Sequence, residues 1–139
     1  MVLLALALAG LAACGDDESP YTDEGPTKLQ LVTEADAICR SYDSRFVDAL
    51  QGLGGADPAQ KAAIAQRVAN VADELLAELR ELPRPEEDRE LLDRVFASVG
   101  DDLVELRRNP ALLDQPEELF SESSDLATEY GFQDCADVG

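Results

Sequence analysis

The sequence predicts an all-α fold, a four-helix up-down-up-down bundle. Apolar residues recur at helical spacing in four segments, and prolines and glycines fall between those segments. The connections are short enough to leave successive helices antiparallel. A length of 139 residues gives one domain with one hydrophobic core.

Residues 2–11 form an apolar run that is too short to span a bilayer as a stable helix and suits the hydrophobic region of a signal peptide. No basic residue precedes it, so Met1 reads as internal to a longer frame. Residues 15–26 carry Asp16, Asp17, Glu18, Asp23 and Glu24 and no basic side chain. Such a segment repels itself and reads as an extended tether with a reach of roughly 20 Å. Its carboxylates lack the glycine-punctuated spacing of a calcium loop.

The first helix is expected to open at Thr33, with Asp36 three positions on. Its buried face is Ala35, Ile38, Cys39, Tyr42, Phe46, Ala49 and Leu50, and Asp36 is expected to pair with Arg40 on the solvent side. Gly52, Gly54 and Gly55 end it, and no Lys-Ser or Lys-Thr pair follows them as in a phosphate loop. Asp57 and Pro58 are an N-cap and first-turn pair for the second helix. Its stripe of Ile64, Val68, Val71, Leu75, Leu79 and Leu82 is the strongest periodic signal in the chain.

Leu82-Pro83-Arg84-Pro85 makes a corner. Glu86, Glu87 and Asp88 then occupy the first turn of a third helix, where negative charge meets the positive end of the helix dipole. Leu92, Val95, Phe96, Val99, Leu103 and Leu106 supply its buried face, and Gly100 marks a kink or a close approach. Arg107 and Arg108, followed by Asn109-Pro110, close it. The fourth helix runs from Asp114-Gln115-Pro116 to Tyr130, with Gly131 in the left-handed position after its end and Phe132 making the accompanying apolar contact.

Leu11-Ala12-Ala13-Cys14 resembles the lipobox of bacterial lipoproteins, in which small residues admit a signal peptidase before a cysteine that becomes diacylated. The resemblance implies removal of residues 1–13, palmitate-type acyl chains on Cys14, an acidic tether over residues 14–30, and a helical domain over 31–139 outside the cytoplasm on the cell membrane. The oxidising compartment then leaves Cys39 and Cys135 as one disulfide stapling the bundle; two buried free thiols are the alternative. By loop entropy such a bond contributes about 4–5 kcal/mol. Together with Ala37-Ile38-Cys39 and Tyr130-Gly131-Phe132-Gln133-Asp134-Cys135, the lipobox resembles small lipid-anchored helical proteins of high-GC, actinobacterial-type bacteria. That likeness implies no activity.

Thirty acidic and eleven basic side chains leave a net charge of −19, which argues against nucleic acid and against charge-driven adhesion to anionic lipid. The chain has no histidine, so Ser-His-Asp and Cys-His nucleophiles, the usual zinc sites and the Glu-x-x-His pairs of di-iron bundles are all ruled out. No Cys-x-x-Cys is present, and four phenylalanines, three tyrosines and no tryptophan give no platform for a sugar beside paired carboxylates. The expectation is therefore no catalytic residue, no metal and no cofactor. The chain reads as a non-enzymatic interaction or accessory protein of the envelope, attached through its lipid and facing a basic protein partner. A carrier or sensor with an apolar cavity inside the bundle is the alternative.

Overall fold

Thr27 starts the fold. Its hydroxyl accepts from the Gln30 backbone N–H at 3.2 Å, and the Gln30 side chain accepts from the Thr27 N–H at 2.8 Å, a reciprocal capping box. Helix α1 (Lys28–Ala49) is therefore capped six residues before the expected Thr33, whose hydroxyl instead donates back to the Leu29 carbonyl. The structure is a computed structural model and describes residues 25–137. The apolar run, the lipobox with Cys14 and most of the acidic tether lie outside the described residues.

The chain turns through Gly52 and Gly55, both at positive φ, into α2 (Pro58–Glu81). Asp57 and Gln60 form a second capping box there, with Pro58 pre-set for the first turn. The extended Leu82 begins the proline corner, and a 3-10 turn at Glu86–Asp88 leads into α3 (Arg89–Arg108). Gly100 lies inside α3 and marks no close approach, because a side chain added there would meet nothing within 4 Å.

The described residues hold five α-helices rather than four, with no strand. After α3 come a 3-10 turn at Pro110–Asp114, the single-turn α4 (Pro116–Leu119) and α5 (Ser121–Tyr130). The one helix expected over this stretch breaks at Phe120, where the backbone leaves helical geometry (φ −98°, ψ 15°). The break has a packing reason. Leu119 and Phe120 belong to one apolar cluster while Leu126, Ala127 and Tyr130 belong to another, and a bend lets each part reach its own.

One cluster joins Leu31, Ala35 and Cys39 of α1, Leu76 and Leu79 of α2, Leu92, Val95 and Phe96 of α3, and Ala127, Tyr130 and Phe132. The other joins Ala49, Ile64, Ala65, Val68, Ala69, Leu103, Leu106 and Leu113. Val99 lies against both. The buried face of α2 thus takes in alanines and Leu76 that a six-residue stripe leaves out, while Val71, Leu75 and Leu82 are only partly covered. Close helix approach over alanine explains the difference.

Candidate functional site

Cys39, Asp36 and the segment 131–135 meet where the last described residues lie against α1. Gly131 sits at φ 113°, left-handed, just past α5. Its N–H bonds to the Thr128 carbonyl at 3.0 Å, and the Phe132 N–H bonds to that of Ala127 at 3.0 Å, a Schellman closure. This reversal drives Phe132 into the core beside Tyr130, with ring centroids 4.9 Å apart, and lays residues 133–136 along α1.

Cys39 and Cys135 are bonded there, with Cα atoms 5.3 Å apart and 96 residues between them in sequence. The free-thiol alternative is thereby set aside. Cys135 Sγ also lies 3.3 Å from the Ala35 carbonyl oxygen, a contact rather than a hydrogen bond because a disulfide sulfur has no proton to donate.

Asp36 corrects the sequence reading. It does not pair with Arg40 on the solvent side. It is buried at 7 % exposure, and its carboxylate accepts from the Gln133 N–H at 3.1 and 3.2 Å and from the Cys135 N–H at 3.2 Å. Arg40 pairs instead with Asp134 on the surface between those amides. Asp36, Cys39 and Arg40 share one side of α1 at helical spacing, so three consecutive tail residues are each held by a different one. The signal in the sequence was this spacing of an acid and a cysteine. Pairing rules for a lone helix pointed Asp36 to its nearest cation and missed it.

Tyr130, fully buried, donates its hydroxyl to Asp88 Oδ2 at 2.8 Å, and Lys28 Nζ stands 4.5 Å from its ring centroid. Burial, then the bond to Asp88, raises the Tyr130 pKa well above the ordinary 10.0. Asp88, one of the three carboxylates at the head of α3, is thus a partner for a core phenol. Ser124 Oγ donates to the Ala136 carbonyl at 2.6 Å and holds the last described turn.

Elsewhere, Tyr42 donates to Glu78 at 2.9 Å across α1 and α2; burial and Glu78 raise its pKa as well. Asp102 accepts from the buried Ser123 hydroxyl at 2.6 Å, and burial raises its pKa. Arg107 pairs with Asp73 of α2, which ties the basic end of α3 to a neighbour. Arg67 of α2 closes α1 by donating to the Ala49 and Gln51 carbonyls at 3.2 and 3.1 Å.

A shallow open hollow of about 400 Å³ is lined by Arg84, Arg89 and Asp93, with Arg84 paired to Asp93 at 2.8 Å. A second, of about 410 Å³, is lined by Asp114, Gln115, Pro116, Glu117 and Glu118. Among the described residues, no group of three or more cysteine or acidic side chains is arranged to hold a metal. No protein-family model, curated protein or solved structure matches the chain.

Proposed function

We propose that this chain is a lipid-anchored, extracytoplasmic helical protein serving as a non-enzymatic interaction or accessory domain of the cell envelope. The observation that carries this reading is the Cys39–Cys135 bond. It accounts for both cysteines of the helical domain, suits an oxidising compartment, and leaves Cys14 alone at the end of an apolar run. No described helix is long and apolar enough to cross a membrane. In this reading the acyl chains on Cys14 carry the attachment, and two or three of them hold firmly where one would not.

The same reading takes the helices as an up-down-up-down bundle, with α4 and α5 together in the fourth place. Its support is the alternation of ends: early residues of α1 and α3 share the disulfide-side cluster with late residues of α2 and α5. The tether then leaves the domain beside the clamp, and the Gly52–Gly55 loop and the Pro110–Leu119 segment face away from the membrane. There Asp114, Glu117 and Glu118 line one open hollow, and that acidic surface suits a basic protein partner.

Detergent phase partitioning of the full chain, expressed in a bacterium, tests the anchor. Wild type is expected in the detergent phase and Cys14→Ser in the aqueous phase. A Cys14→Ser chain that stays with the detergent contradicts the reading.

A further inference from the structure

We propose that Asp36 seats the C-terminal tail on α1 independently of the covalent bond, so that the Cys39–Cys135 disulfide locks a latch that is already closed. Asp36 is a buried carboxylate with no basic partner within ion-pair distance among the described residues, and it accepts from the N–H groups of Gln133 and Cys135. A buried carboxylate is tolerated when such donors satisfy it, and hydrogen bonds to an ionised group are the strong ones. The other holds on the tail are equally non-covalent: Phe132 in the core, Ser124 on the Ala136 carbonyl, and Arg40 on Asp134. Cys135 reaches Cys39 because the two amides flanking Asp134 are already fixed one turn earlier on the same helix.

Reduction therefore leaves the thiols facing each other. Reclosure by a small disulfide such as oxidised glutathione begins at Cys135, the more exposed of the pair. Its thiolate attacks the oxidant and releases one glutathione thiolate. The Cys39 thiolate then attacks Cys135 Sγ and releases the second. Two electrons and two protons pass from the protein thiols, and the oxidant leaves as two thiols. A seated tail makes the second step effectively unimolecular at high local concentration.

The test uses the full chain with Cys14→Ser, so that only this pair titrates, equilibrated in glutathione redox buffers to give the effective concentration of the pair. Hydrogen exchange at the Gln133 and Cys135 amides is followed on the reduced chain. Those amides are expected to stay protected after reduction. Asp36→Ala is expected to abolish that protection and lower the effective concentration by about tenfold to a hundredfold. Asp36→Asn, which keeps the shape and one acceptor oxygen, should fall between and serves if the alanine variant does not fold. Arg40→Ala, an exposed pair, is expected to change it by less than about fivefold. Amides that exchange at unstructured rates once the parent chain is reduced would overturn the proposal. So would effective concentrations within about twofold of the parent in both Asp36 variants.

Discussion

Tyr130 concentrates the residue-scale chemistry of the fold. Its ring fills the core beside Phe132 and its hydroxyl reaches Asp88, so one side chain joins α5 to the head of α3. The folded chain holds the phenolic proton more tightly than the unfolded chain, whose tyrosine titrates near 10.0. The resulting stabilisation is fully present below pH about 10 and is lost as pH rises toward the higher folded value. Urea midpoints measured from pH 7 to 11 are expected to fall above pH 10. Tyr130→Phe is expected to cost about 1 kcal/mol at pH 7 and to flatten part of that fall, with Tyr42 contributing in the same sense. Little of this was legible in the sequence. An acid at a helix head and a tyrosine far along the chain carry no mark of their pairing, and Asp36 was misassigned for the same reason. The partners of both are set by how elements meet.

Elements were more legible, because their causes are local. Asp57-Pro58 opens α2, Arg107-Arg108 closes α3, and Gly131 ends α5 at the left-handed position its sequence suggests. Asp57→Ala removes the acceptor for the Gln60 N–H and is expected to cost about 1 kcal/mol, read by thermal or urea unfolding. Gly100 lies inside α3 with open space around it, so Gly100→Ala is expected to stabilise the chain by about 0.5–1 kcal/mol. A loss of stability there would mean that this stretch of α3 is not regular helix. Of the two element-level differences, the start of α1 has a local origin and the break in the last helix a tertiary one. Thr27 captures the start of α1 because its capping box with Gln30 is complete, and Phe120 breaks the last helix because two apolar clusters pull on its two halves.

At the scale of the whole molecule the all-helical class and the cysteine pair were legible from periodicity and count, and the path of the tail was not. The disulfide encloses most of the domain, and the loop-entropy estimate for that closure is about 4–5 kcal/mol. Reduction is accordingly expected to lower the unfolding temperature markedly while far-ultraviolet circular dichroism at 20 °C retains the helical signal. Loss of that signal on reduction would place the whole fold under the control of one bond.

Intact mass spectrometry of the protein extracted from the membrane fraction reads the proposed anchor off the mature N-terminus. The expected species begins at Cys14, carries two or three acyl chains, and is lighter by two hydrogens than its reduced form. A chain that retains residues 1–13, or that bears an unmodified Cys14 thiol, would contradict it.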